Sequence, residues 1–82
     1  MKIIASFTLS GTPQSGLTPT ITIVRKSDEA VVVNAASMTS RGSGIYLHYD
    51  YSFSAVDNEE YYFVCDAGTA TIDSRYIAGT IS

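Results

Sequence analysis

The stretch RGSGIYLHYDYSF, Arg41 to Phe53, decides the fold class. A glycine-bearing turn, Gly42-Ser43-Gly44, leads into a strict alternation. Ile45, Leu47, Tyr49, Tyr51 and Phe53 fall on one side, and Tyr46, His48, Asp50 and Ser52 on the other. A strand sends successive side chains to opposite faces, so this spacing builds one apolar face and one mixed face. A helix, at about 3.6 residues per turn, would scatter the same residues round its circumference. The stretch is expected to be one strand, the first set inward and the second outward.

The flanking sequence repeats the pattern. Lys2 to Leu9 alternates, with Ile3, Ala5, Phe7 and Leu9 inward, Lys2, Ser6 and Thr8 outward, and Ile4 as an apolar exception on the outward side. Gly11, Pro13 and Gly16 punctuate Ser10–Thr18 as a turn region, which Leu17 is expected to anchor to the core. Thr20–Arg25 reads as a strand, with Ile21 and Ile23 inward. Pro19 precedes it, where a missing N–H does no harm. Lys26–Ala30 is a charged tip leading to Val31–Asn34, a short strand apolar on both faces. Ala35–Ser40 continues that strand, bends it, or forms a separate one with Met38 inward. Ser54–Glu59 reads as a connection, with Ser54 placed to cap one helical turn. In Glu60–Asp66, Tyr61, Phe63 and Cys65 share one face and Tyr62 and Val64 the other. Both faces are largely apolar, which predicts a central strand covered on its outer side. Thr69–Ile72 and Arg75–Ile81 are the last extended pieces. About seven strands at spacings of about 8 to 12 residues signal an all-β sandwich or barrel.

Composition bounds the function. The 82 residues are expected to form a single domain, 1–82. Domains this small are marginal alone and usually gain a disulfide, a metal or a partner subunit. The single cysteine, Cys65, allows no intrachain disulfide, and with the one histidine it cannot furnish a four-ligand zinc site. That leaves idealised packing or self-association, of which self-association is the expected support. Charged residues make up 16%, below the roughly 25% of an average domain, so a surface covered by neighbours is expected. A net charge of −3 with five Lys and Arg supplies no basic footprint for nucleic acid. No apolar run approaches the about 18 residues of a membrane span. The opening MKIIASFTLSG is broken by Ser6, Thr8 and Ser10, so it reads as a strand, not a secretory signal, and synthesis in the cytoplasm is expected.

No residue set marks an enzyme. His48 and Asp50 share a face, but no Gly-x-Ser-x-Gly elbow or other marked nucleophile accompanies them. Cys65 alternates with Tyr61 and Phe63 and reads as a small buried hydrophobe beside the wrong-signed Asp66. The carboxylates of Asp57–Glu60 lack the Asp-x-Asp-x-Asp-Gly spacing of a calcium loop. No metal, catalytic residue or cofactor is therefore expected. Tyr61, four residues after Asp57, is either a tyrosine corner, its hydroxyl bonded to backbone a few residues upstream, or a plain core-edge tyrosine. Tyr46, His48, Tyr62 and Ile4 are the candidates for a protein interface, because outward tyrosines and aliphatics together make a contact patch.

The order of segments carries a resemblance. GLTPTITI (Gly16–Ile23), a charged tip, GSGIYLHYDYSF (Gly42–Phe53), EYYFVCDAG (Glu60–Gly68) and RYIAGTI (Arg75–Ile81) follow one another. This resembles the small immunoglobulin-like or transthyretin-like β-sandwich modules of tailed-bacteriophage structural proteins. The likeness spans Gly16 to Gly79, with Ala67 a departure where an immediate glycine would follow Asp66. It implies one Ig-like sandwich of about seven antiparallel strands with Greek-key connections. It also implies a non-enzymatic virion part: a capsid decoration or cement protein, or a head- or tail-fibre component. The implied partners are viral capsid or tail proteins and further copies of the chain. A carbohydrate-binding or adhesion module is the alternative, with the absence of tryptophan against it.

Overall fold

The computed structural model describes residues 1–81. Its chain is all-β, and every strand pairing is antiparallel. The strands are β1 Lys2–Ala5, β2 Thr8–Leu9, β3 Thr12–Pro13, β4 Thr20–Arg25, β5 Val31–Ser37, β6 Thr39–Arg41, β7 His48–Ser52, β8 Tyr61–Asp66 and β9 Tyr76–Ile81. They form a three-stranded sheet in the order β1-β7-β6, a four-stranded sheet in the order β5-β4-β8-β9, and the small hairpin β2-β3.

Alternation places the core. Ile3 and Ala5 of β1 lie opposite Tyr51 and Tyr49 of β7. In the other sheet Ile21 and Ile23 of β4 lie opposite Cys65 and Phe63 of β8, which in turn face Ile77 and Gly79 of β9. The buried members of both sets join Phe7, Met38, Tyr61, Ala67 and Ile81 in one cluster. The Phe63 ring lies over Gly79: a Cβ there would sit 2.8 Å from it, so any larger residue would have to displace the ring. Cys65 is fully buried, and desolvation pushes its thiol up to about 11, so it packs as a small hydrophobe. Met38 is buried as expected, at the point where the chain leaves β5 for β6 in the other sheet.

The expected strand Ile45–Phe53 is corrected at its start. Gly44–Tyr46 is a 3₁₀ turn, and the strand begins at His48. Gly42 and Gly44 both have positive φ, and a Cβ on Gly42 would collide with the Tyr46 carbonyl oxygen. The chain therefore folds back over Gly42. Tyr46 N–H donates to the Ser43 carbonyl at 3.1 Å and Leu47 N–H to the Gly44 carbonyl at 3.2 Å. Ile45, expected inward, is 80% exposed.

Other boundaries shift for local reasons. The expected strand Lys2–Leu9 breaks after Ala5, and Leu9 turns outward in the β2-β3 hairpin. Ser10 and Gly11 both adopt positive φ at its tip. Asp73 holds that turn: its carboxylate accepts from Thr8 Oγ1 at 2.9 Å, Ser10 N–H at 2.9 Å and Gly11 N–H at 3.1 Å. β5 runs on to Ser37 through two register shifts, with Ala35 at φ 49 and its N–H donating to Thr22 Oγ1. Residues 54–60 form a turn at Asp57–Asn58, without the helical turn that Ser54 could cap. The extended piece expected over Thr69–Ile72 is a run of bends.

Two tyrosine hydroxyls tie loops to this frame. Tyr49 is buried; its hydroxyl donates to the Gln14 carbonyl at 2.9 Å and accepts from Leu17 N–H at 3.3 Å. Leu17 packs against the core, as expected. Tyr61, at the start of β8, accepts from Val56 N–H at 3.2 Å, five residues upstream. That is the backbone contact of a tyrosine corner, closing the crossover from β7 to β8.

Candidate interaction surface

The four residues read as interface candidates do not meet on one face. Ile4, 58% exposed, and the half-buried His48 lie on the outer side of the three-stranded sheet. Tyr62, 47% exposed, lies on the outer side of the four-stranded sheet. Tyr46, 76% exposed, belongs to the 3₁₀ turn that precedes β7. Alternation separates inward from outward but does not say which of two sheets a strand joins.

The outer side of the three-stranded sheet is polar around Ile4. Ile4 pairs with Asp50, and Thr39 lies across from Asp50 on the other side. Asp50 has outward parity yet is only 5% exposed. Lys2 Nζ reaches its carboxylate at 3.8 Å and Arg41 Nε at 3.3 Å, so two exposed cations cover one buried anion. A buried carboxylate needs such partners, because removing them would leave an uncompensated charge. Sequence reading missed this trio, which long-range pairing assembles from three strands. The His48 ring donates from Nδ1 to the Tyr46 carbonyl at 2.9 Å, which fixes its tautomer and ties it to the turn.

The four-stranded sheet presents a different surface. The register sets Val31, Val24, Tyr62 and Thr80 in one row across its outer face, and Thr22, Val64 and Ala78 in the next. Tyr76 lies opposite Asp66 in a third row. Val31, Tyr62, Val64 and Tyr76 are all exposed. Both faces of β8 are apolar as expected and β8 is central, but no described part of this chain covers its outer face. Val31, Val64 and Tyr76 are the members that sequence reading left out. The signal for them was the apolar character of both faces of Tyr61–Cys65 and of Val31–Val33.

Charge rims this surface. Lys26 Nζ pairs with Glu60 at 2.9 Å and stands 5.2 Å from the centre of the Tyr62 ring. Arg75 forks onto Asp66, with Nε at 2.9 Å, and lies 5.0 Å from the Tyr76 ring centre. These partners hold the Glu60 and Asp66 carboxyls below their usual range. An apolar centre with a paired polar rim is the anatomy of a protein contact surface. A shallow cleft of about 270 Å³ beside it is lined by Lys26, Ser27, Asn58, Glu59 and Glu60. Its polar groups are engaged with one another: Lys26 pairs with Glu60, and Ser27 Oγ donates to Glu59 at 3.4 Å.

Among the described residues, no three His, Cys, Asp or Glu side chains converge as a metal site, and no helix is long and apolar enough to cross a membrane. Comparison of the chain with protein-family models, curated proteins and solved structures finds no match.

Proposed function

We propose that this chain is a non-enzymatic structural component of a virus particle, a capsid decoration or head/tail-fibre module that binds a repeating protein lattice. The single observation that carries the reading is the uncovered apolar face of the β5-β4-β8-β9 sheet, with Tyr62 at its centre. Monomeric soluble proteins rarely expose contiguous apolar surface of this kind without a partner for it. The same reading takes the architecture as a seven-strand, Ig-like sandwich of Greek-key type. Supporting it are the strand orders β1-β7-β6 and β5-β4-β8-β9, the chain's repeated crossing between the two sheets, and the Tyr61 bond to Val56 at the β7-β8 crossover. The low charge content and the tyrosine-rich exterior suit a surface that neighbours cover.

Density-gradient fractionation of cells producing the chain, with mass spectrometry of each fraction, tests this. Recovery in a particle fraction at fixed stoichiometry to a shell or tail protein is the expected result. A chain that stays entirely with free protein contradicts it. The exposed rings of Tyr62 and Tyr76 favour a second reading, a carbohydrate-binding or adhesion module. Binding on a glycan array that Tyr62→Ser and Tyr76→Ser remove would establish that reading instead.

A further inference from the structure

Among the described residues the edge strands are β2 and β3 of the hairpin, each only two residues long, and β1, β6, β5 and β9 of the two larger sheets. An open edge is a template for another strand, and proteins blunt edges with charge, shortness, proline or bulges. β1 has four residues and carries Lys2, and β6 has three and carries Arg41. β5 is broken by two register shifts. β9 has none of these devices. Its six residues, YIAGTI, hold no charge and no proline, and they pair with β8 in unbroken register. The nearest charge, Arg75, is turned onto Asp66 of β8.

We infer that β9 pairs with β9 of a second copy of this chain, antiparallel about a two-fold axis at Ala78, to make one continuous eight-stranded sheet. The hydrogen-bond parity of the edge leads there. Ala67 N–H donates to the Arg75 carbonyl, so the pairs that exchange hydrogen bonds with β8 include Ile77, Gly79 and Ile81. Tyr76, Ala78 and Thr80 therefore aim their N–H and C=O groups at the open edge. A two-fold axis normal to the sheet keeps inward residues opposite inward ones. Centred on Ala78, it sets Ala78 against Ala78 and Tyr76 against Thr80, the positions whose backbone groups point outward; the Tyr76 carbonyl also accepts from Ser74 Oγ at 3.0 Å and keeps its second lone pair for the partner. The three pairs exchange about six hydrogen bonds along roughly 20 Å of strand. On the outer face the join places Tyr76 of one copy beside Thr80 of the other, one strand from its Tyr62, so the outer surface runs across both. An axis at Ile77 or Gly79 would keep only two of these three pairs within β9, and a register that sets even-numbered residues against odd-numbered ones would face free groups with bonded ones.

The inference does not rest on the virion reading, and it fails separately. Sedimentation equilibrium of the purified chain over a wide concentration range should show the 8.8 kDa monomer passing to a species of about twice that mass. Amide hydrogen exchange at Tyr76, Ala78 and Thr80 should slow as the dimer fills, while Ile77, Gly79 and Ile81 are protected throughout. Ala78→Lys puts like charges directly opposite at the axis and should raise the dissociation constant about tenfold or more. Val31→Lys, on the β5 edge, should leave it unchanged. Circular dichroism of both variants checks that they fold. A mass that stays monomeric to the solubility limit overturns the inference and leaves the β9 edge to a strand of different sequence. So does a dimer in which the amides of Tyr76, Ala78 and Thr80 exchange freely, or one that Val31→Lys disrupts and Ala78→Lys does not.

Discussion

Tyr49→Phe removes one oxygen from the middle of the molecule, and the structure sets its effect. The ring is buried against Phe7, with centroids 6.0 Å apart, and phenylalanine keeps that packing. What disappears is the bond to the Gln14 carbonyl and the bond from Leu17 N–H, both part-buried. A hydrogen bond contributes about 1 kcal/mol net, and a buried group left unpaired costs about 1–3 kcal/mol. Two bonds in a partly wet setting therefore give a loss of about 2 kcal/mol. For a domain of this size that lowers Tm by roughly 8–16 °C. Tyr61→Phe removes one bond, the part-buried contact with Val56 N–H, and should lose about 1 kcal/mol. Thermal denaturation of both variants gives the ordering, and amide exchange at Leu17 should accelerate only in Tyr49→Phe. If Tyr61→Phe were the more damaging, or if Leu17 exchange were unchanged in Tyr49→Phe, the two-bond anchoring of the Gln14–Leu17 loop would be refuted.

Further outcomes follow from particular contacts. Ala35→Gly should raise stability by up to about 1 kcal/mol in chemical denaturation, because Ala35 sits at φ 49, and Ala35→Val should lower it. Gly42→Ala should cost about 1–3 kcal/mol, since its Cβ would collide with the Tyr46 carbonyl and φ is +75. Asp28 is held at about 2 by Arg25, and hydrogen bonds from Gly11, Ser10 and Thr8 lower Asp73. Both contribute stability above their unfolded range that is lost as pH falls through the folded values, so urea midpoints should drop below about pH 4. The Cys65 thiol, raised to about 11, works in the opposite direction: stability is full below pH 9.0 and is lost as pH rises toward 11. At neutral pH Cys65 should react with a thiol reagent only on unfolding.

The sequence made much of the core legible. Ile21, Ile23, Tyr61 and Cys65 are inward as alternation requires, and Met38 is buried where a change of direction was open. The opening stretch was half legible. Its alternation of residue types runs unbroken through Ile45–Leu47, but the glycines at 42 and 44 fold the backbone so that position no longer means face. Sheet membership was not legible, because it depends on long-range pairing. Ile4 and Tyr62 both read as outward, yet they lie on different sheets. Asp50 is a further case: outward parity hid its burial, since Lys2 and Arg41 reach it from neighbouring strands. Nothing in the sequence marks Asp73, and only the packing of residues 72–75 against the β2-β3 hairpin gives it three donors.

The proposed binding role of the outer face of the four-stranded sheet is tested most directly by the copy number of chain variants in purified particles. Tyr62→Ser combined with Val64→Ser should fold, because both side chains are exposed, and should fall out of the particle fraction. Ile4→Ser, on the opposite sheet, should stay at the wild-type copy number. Equal retention of both variants, or a wild-type chain that never enters particles, would contradict the assignment.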